Sequence, residues 1–134
     1  MGRLTVRATG PASVEQAWER YAVPALWPTW SPHVKGVDYP HPRLVAGTHG
    51  VVNGPLGLRA RFSIDEFGET LHRWSWTVRA GPFNVRLVHG VEESGRPGAA
   101  PATTSAAWLE MHGPLLVLLG YAPLARLALS RLLR

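Results

Sequence analysis

One histidine, His89, stands where the sequence pattern otherwise places apolar side chains. It alternates with Phe83, Val85 and Leu87 along one face of a predicted strand. An imidazole on such a face can act as a general acid, a general base or a hydrogen-bond donor to a ligand. A buried histidine that is satisfied by a neighbouring side chain gives the same pattern. His89 is therefore a candidate acid/base residue, and the sequence names no catalytic residue beyond it.

Two other pairs of polar residues have the types that acid–base catalysis requires. Glu110 and His112 share one face of a predicted strand. Asp65 and Glu66 are adjacent on opposite faces of another. A carboxylate beside a histidine can move a proton to or from a substrate. No pattern in the sequence brings these residues together with His89, and a solvated strand surface explains both pairs more simply.

The histidines and cysteines form no metal-binding pattern. The chain has no cysteine, and its histidines do not recur at the spacings that place two ligands on one element. A glycine-rich phosphate loop, a dinucleotide fingerprint and a nucleophile elbow are absent as well. The sequence therefore predicts neither a metal nor a cofactor. The six histidines are at positions 33, 41, 49, 72, 89 and 112.

Aromatic residues recur on the strand faces that are predicted to point inward. Trp74 and Trp76 are two residues apart on one face, and Trp108 can face them from a later strand. Such rings either fill a core or line an apolar pocket that stacks on a planar ligand. The residues predicted to line a ligand-binding cavity are Tyr21, Trp30, Phe62, Trp74, Trp76, Val85, Leu87, His89, Trp108, Leu116, Leu119 and Tyr121.

Short strands with alternating patterns must hold most of these side chains. Alternation is clear over residues 3–8, 58–65, 72–80 and 83–91. Residues 103–111 form a last strand whose inner face is ambiguous, because either parity contains apolar residues. Turn-forming residues separate the strands at hairpin spacing, and residues 94–101 have the composition of a long loop.

The helical patterns lie near the two ends of the chain. Ser13 and Gln16 form a predicted capping box that begins a short amphipathic helix. The segment Trp27–Trp30, held between prolines, predicts a helical turn that plugs the core. Residues 114–134 predict a long terminal helix whose first half, 115–122, is enclosed and whose arginines face outward. Pro123 lies inside this helix and is expected to kink or split it.

Length and charge set limits on the class of protein. A chain of 134 residues predicts one domain, residues 1–134. The net charge is +5, but the arginines alternate along strands and do not cluster, so nucleic-acid binding ranks a distant third among the functions. The uncharged run 113–125 is shorter than the roughly 20 residues of a membrane span. We therefore expect a cytoplasmic protein without stable membrane insertion. Whether it forms a homodimer stays an open question.

The order of these elements resembles the helix-grip superfamily, the START-related and polyketide cyclase/dehydrase-like group labelled SRPBCC. The likeness rests on five motifs and their spacing, and covers nearly the whole chain. Those motifs are Ala12–Trp18, Trp27–Val34, Ile64–Phe67 followed by Arg73-Trp74, Val88–Gly90, and Gly113–Leu116 leading into a leucine-rich helix.

The resemblance implies an α+β fold in which a curved antiparallel sheet of about seven strands wraps around the C-terminal helix. A short helix pair would follow the first strand, and a cavity would lie between the sheet and the terminal helix. Many members of the group bind lipids, sterols or polyketides there, and a minority are enzymes. Our first hypothesis is a binder of a hydrophobic small molecule. The second is an aromatic polyketide cyclase/dehydrase in which His89 assists proton transfer, so enzymatic activity stays undecided.

Overall fold

The computed structural model describes residues 2–94 and 104–134, where seven strands form one antiparallel sheet in the order β1-β7-β6-β5-β4-β3-β2. The predicted α+β class and helix-grip architecture are therefore confirmed. The predicted loop 94–101 lies outside the described residues except for Ser94, which ends β6. The strands are β1 Gly2–Gly10, β2 Gly36–Asp38, β3 His49–Asn53, β4 Arg59–Gly68, β5 Arg73–Ala80, β6 Phe83–Ser94 and β7 Thr104–Gly113.

The first helix, α1 (Val14–Ala22), begins at the predicted capping box. The Gln16 backbone N–H donates to the Ser13 hydroxyl, and the Ser13 N–H donates to the Gln16 side-chain oxygen, both at 3.1 Å. These two bonds satisfy donors that a helix start leaves unpaired. The helix turns Ala17, Trp18 and Tyr21 into the core, as its apolar stripe predicts.

The predicted turn between prolines is a helical turn, α2 (Trp27–Trp30), which follows a 3-10 turn at Pro24–Leu26. The Trp27 indole N–H donates to the Tyr21 carbonyl oxygen, and the Trp30 indole N–H donates to the Arg20 carbonyl oxygen, each at 2.9 Å. Both indoles thus attach α2 to the end of α1 and leave their apolar rings facing the core. Together α1 and α2 form the predicted helix pair.

The inner face of β7 is the one that carries Leu109 and Met111, both of which are buried. Trp108 lies on the opposite, outer face of the sheet, so its predicted place in the cavity wall is wrong. There its ring covers Gly90 of β6, where a Cβ atom would overlap the indole. The Arg73 guanidinium carbon lies 5.4 Å from the ring centroid. Gly90 and Arg73 thus favour the arrangement in which Trp108 faces outward and Leu109 inward. They are 18 and 35 positions from Trp108 along the chain.

The terminal helix, α3 (Leu115–Leu132), is continuous, so Pro123 does not split it. Proline removes the N–H that would bond to the carbonyl of Leu119. Both Pro123 and Leu119 lie on the exposed side of the helix, where water can satisfy that carbonyl.

The prediction that residues 115–122 are enclosed is wrong for one side of the helix. Leu116 is 85% exposed, and Leu115 and Leu119 are about half exposed. The sheet can cover only one face of a helix, and an apolar composition all round does not tell which face that is. By length and composition α3 could cross a membrane, but a helix that packs on a sheet can meet the same criterion. The buried side consists of Leu118, Ala125, Ala128, Leu129 and Leu132.

The C-terminal end of α3 is attached to β1 and α1 by backbone contacts. The Ala12 N–H donates to the Leu133 carbonyl oxygen at 2.8 Å. The Arg20 guanidinium donates to the carbonyl oxygens of Leu132 and Arg134 at 2.5 and 2.8 Å. Gly10 permits this approach, since a Cβ atom there would lie 2.5 Å from the Leu133 oxygen.

We therefore expect Gly10→Ala to lower the free energy of unfolding by about 2 kcal/mol, because the added methyl group meets backbone atoms that cannot rotate away. Gly36→Ala is the matched control: Gly36 is also in a strand, and a Cβ there meets no atom within 4 Å. It should change stability by no more than about 0.5 kcal/mol. Urea unfolding of both variants measures the difference, and equal stabilities would contradict the contact.

Candidate functional site

A cavity of about 240 Å³ lies between the inner face of the sheet, the segment that begins with α2, and α3. Strands β3 to β7 supply one wall and α3 the other. Its lining residues are Trp27, Trp30, Ser31, His33, Val34, Val52, Ala60, Trp74, Trp76, Val78, Val85, Leu87, His89, Leu109, Val117, Leu118, Tyr121, Ala125, Ala128 and Leu129. Among these residues only the two histidines, His33 and His89, could become charged near neutral pH, and the others are uncharged. This part of the wall is therefore apolar with a few neutral polar groups.

Three tryptophans form a continuous aromatic surface in this wall. The rings of Trp27 and Trp74 are stacked with centroids 5.7 Å apart, and those of Trp27 and Trp76 are inclined at 60° with centroids 5.1 Å apart. Trp74 and Trp76 are 5.3 Å apart. Contacts of this kind hold the rings in fixed positions. The surface can therefore receive an apolar, planar molecule without rearranging.

His89 is buried in the wall and is held by aromatic neighbours. The Trp76 indole N–H donates to His89 Nε2 at 2.9 Å, so the neutral imidazole carries its proton on Nδ1. The ring lies 4.5 Å from the Trp74 ring and almost parallel to it, and the edge of Tyr21 is 5.1 Å away. His89 Nδ1 is buried and has no hydrogen-bond partner among the described residues.

The environment of His89 argues against a role as a general base. Burial lowers the pKa of His89 to about 3, so the ring is neutral at physiological pH. Its basic atom, Nε2, already accepts the Trp76 hydrogen bond. What remains available on this side chain is the Nδ1–H group, a hydrogen-bond donor.

A second polar pair, which sequence reasoning missed, joins α3 to the segment after α2. Tyr121 Oη lies 3.0 Å from His33 Nε2, and Ser31 Oγ lies 3.4 Å from His33 Nδ1. Burial raises the pKa of Tyr121 to about 12 and lowers the pKa of His33, so both groups are neutral. His33 lies outside any alternating pattern, and the Trp27–Val34 motif was the only sequence signal that included it.

The predicted lining residues divide into those that the cavity contains and those that it does not. The prediction is wrong for Leu116 and Leu119, which lie on the exposed side of α3. Leu118, on the buried side of the same helix, lines the cavity instead. Tyr21 and Phe62 are buried behind the wall, against His89 and Trp27 respectively. The predicted residues that line the cavity are Trp30, Trp74, Trp76, Val85, Leu87, His89 and Tyr121.

The carboxylate-containing pairs lie on the outer face of the sheet. His112 Nε2 is 2.8 Å from Glu110 Oε1, with both side chains about one-third exposed. The Thr77 hydroxyl donates to Asp65 at 2.8 Å, and this carboxylate is exposed as well. Neither pair lines the cavity. Within residues 2–94 and 104–134, no group of three histidine, aspartate or glutamate side chains is arranged to hold a metal ion.

Comparison with known proteins gives one family match. A family model described as polyketide cyclase / dehydrase and lipid transport matches residues 1–134. No curated protein matches the sequence.

Solved structures share the fold at low sequence identity. An uncharacterized protein from Bacillus thuringiensis aligns with a TM-score of 0.72 and 16% identity over 96% of each chain. The protein XoxI from Bacillus cereus aligns with a TM-score of 0.69 and 17% identity, over 96% of this chain and 94% of its own. The di-domain ARO/CYC protein BexL of the BE-7585A biosynthetic pathway aligns with a TM-score of 0.77 and 15% identity. This chain is covered to 98% and spans 45% of BexL.

The buried, neutral His89 predicts a pH-dependent stability. The unfolded chain takes up a proton at this residue as the pH falls through 6.5, whereas the folded protein takes it up only near pH 3. Stability is therefore complete above pH 6.5 and is lost towards pH 3. Between pH 7.5 and 5 the loss due to His89 is about 2 kcal/mol.

Urea unfolding at these two pH values should show that His89→Gln loses about 2 kcal/mol less than the wild type. His33, whose pKa is also lowered, adds a loss of the same sign to both proteins. The variant His41→Gln controls for the removal of an exposed imidazole. An unchanged pH dependence in His89→Gln would show that His89 is not buried in the neutral form.

Proposed function

Because the chain belongs to the polyketide cyclase/dehydrase and lipid transport family, we propose that its cavity binds a hydrophobic small molecule, a lipid or polyketide-like compound, without converting it. The family and the fold shared with BexL support a hydrophobic-ligand or cyclase role in general. The observation that carries the more specific proposal is the apolar cavity of about 240 Å³ under α3. An apolar cavity of about 150 Å³ already binds benzene, so this one has room for a larger ligand.

Desolvation would provide most of the affinity. A ligand that buries about 250 Å² of apolar surface gains about 6 kcal/mol at 25 cal/mol per Å². Part of this gain offsets the entropy lost on association. The tryptophan rings reduce the remaining cost, because their mutual contacts already hold them in place before the ligand enters.

Binding without catalysis agrees with the chemistry of the wall. The described lining residues offer no carboxylate and no lysine or arginine to stabilise a developing charge. His89 is neutral, and its Nε2 atom is occupied by Trp76. The cytoplasmic location stays a prediction from the sequence, and so does the possibility of a homodimer.

A substitution that fills the cavity should abolish binding. In Val117→Phe a phenyl ring replaces a smaller side chain and enters the cavity from α3. We expect the affinity for an apolar planar probe, 2-acetylnaphthalene, to fall by about tenfold or more. Leu124→Phe is the matched control, because Leu124 is on the same helix but faces solvent. Titration calorimetry measures both, with quenching of tryptophan fluorescence as the second readout. If both variants bind as the wild type does, the ligand is not in this cavity.

The alternative function is that of an aromatic polyketide cyclase or dehydrase. The hydrogen-bonded pair of Tyr121 and His33 favours it, because a phenol and an imidazole in an apolar site can exchange protons with a substrate. Such an enzyme would also gain rate by holding a flexible poly-β-ketone in a reactive conformation.

If the protein is such an enzyme, Tyr121→Phe should lower turnover of a poly-β-keto thioester by about 100-fold, because it removes the proton donor and keeps the ring. Tyr39→Phe, which removes a hydroxyl outside the cavity wall, is the control. Mass spectrometry of the products measures turnover. The absence of any product from the wild type would exclude this function for that substrate class.

A further inference from the structure

We infer that the cavity contains a site for one neutral hydrogen-bond acceptor, the carbonyl oxygen of a ketone or ester, formed by His89, Trp74 and Tyr21. The inference rests on the proposed function and makes the class of ligand more specific. It assigns these residues to the orientation of the ligand and not to the transfer of its protons.

The first observation is a cluster of buried polar atoms that lack partners. Tyr21 Oη, Trp74 Nε1 and His89 Nδ1 are buried and make no hydrogen bond among the described residues. Their rings contact one another, with centroids 5.7 Å apart for Tyr21 and Trp74, 5.1 Å for Tyr21 and His89, and 4.5 Å for Trp74 and His89. Folded proteins pair nearly all buried polar groups, so three unpaired atoms on contacting rings require an explanation.

The second observation is that all three atoms can donate. An indole Nε1–H is a donor only, and a phenol hydroxyl can donate. His89 Nδ1 carries the imidazole proton because Nε2 accepts from Trp76. A group that satisfies this cluster must therefore be an acceptor, and a carbonyl oxygen has two lone pairs with which to accept.

Two of the three residues of the cluster line the cavity. Trp74 and His89 are in its wall. The Tyr121 hydroxyl group, on a residue of the opposite wall, is close enough to contribute to raising the pKa of Tyr21, after the larger effect of burial. The Tyr21 ring is packed against His89, behind the wall, so its hydroxyl group belongs to the same buried cluster.

The third observation concerns charge. Among the described residues, the cavity wall contains no lysine or arginine, and burial keeps His89 neutral. A carboxylate that entered would lose its hydration without gaining a counter-charge. A ketone or ester carbonyl group loses far less hydration and gains the same donors, so the site selects it over an acid.

The experiment compares three naphthalene derivatives of nearly equal shape by titration calorimetry. In 2-acetylnaphthalene the substituent carries a carbonyl oxygen, in 2-isopropylnaphthalene a methyl group replaces that oxygen, and in 2-naphthoate a carboxylate is present. We expect the ketone to bind the wild-type protein about tenfold more tightly than the hydrocarbon, and the carboxylate to bind more weakly than both.

Two variants locate the site. His89→Phe keeps a ring that can stack on Trp74 and removes the Nδ1–H donor, so it should reduce the preference for the ketone severalfold. Tyr21→Phe deletes a hydroxyl group that has no partner in the described structure, so this variant should fold normally and reduce the preference severalfold. In both, the affinity for 2-isopropylnaphthalene should stay near that of the wild type.

The outcomes separate this inference from the proposed function. Equal binding of the ketone and the hydrocarbon by the wild type would overturn the acceptor site and leave the proposed function standing. A ketone preference that is undiminished in both variants would overturn the assignment to these residues. Failure of both neutral compounds to bind would contradict the proposed function, and the acceptor site with it.

Discussion

The attachment of the C-terminal end of α3 to β1 and α1 is the constraint on which the cavity depends. Gly10 allows the Leu133 backbone to approach β1, and the Ala12 N–H and the Arg20 guanidinium bond to the last carbonyl groups. Those carbonyls would otherwise be unpaired, as at every helix end. Near its other end α3 also approaches β1, where a Cβ atom on Gly2 would lie 3.0 Å from the Leu115 Cβ atom. The α3 residues that line the cavity, from Val117 to Leu129, lie between these two contacts.

This arrangement also explains the uneven burial of α3. Near its C-terminal end, Leu132 is fully buried, while Ala128 and Leu129 line the cavity. Towards its N-terminal end, Val117, Leu118 and Tyr121 face the cavity, while the other side meets solvent. An exposed apolar side is the result, since the fold can cover one face of a helix with a sheet and has no second layer for the other. It consists of Leu115, Leu116, Leu119, Leu124 and Leu127.

The local patterns in the sequence predicted the elements well, because local chemistry determines them. Alternation predicted strands such as β4, and Ser13 with Gln16 predicted the start of α1. The parity of β7 could not be predicted, because it depends on Trp108 covering Gly90 of another strand. The prediction that Leu116 is enclosed was wrong for a similar reason. A helix that is apolar on every side contains no signal for the face that meets the sheet.

The candidate site was harder to predict because its polar groups act through partners from distant elements. His89 was recognised from its position in an apolar run, but the hydrogen bond from Trp76 determines which of its nitrogens is available. His33 is recognised as part of the site only in the structure, where α3 places the Tyr121 hydroxyl within hydrogen-bond distance of it. The sequence therefore identifies where a histidine is buried, and the fold determines whether it can take a proton or only donate one.

That distinction bears on the choice between binding and catalysis. A catalytic base must accept a proton near neutral pH, which a pKa of about 3 prevents at His89. A donor that holds a carbonyl oxygen needs the opposite property, namely a proton that stays bound over the whole physiological range. The aromatic enclosure that lowers the pKa of His89 therefore makes it a poor base and a constant donor. The His89 side of the cavity is therefore suited to orienting a ligand, and the cyclase alternative rests on the hydrogen-bonded pair of Tyr121 and His33.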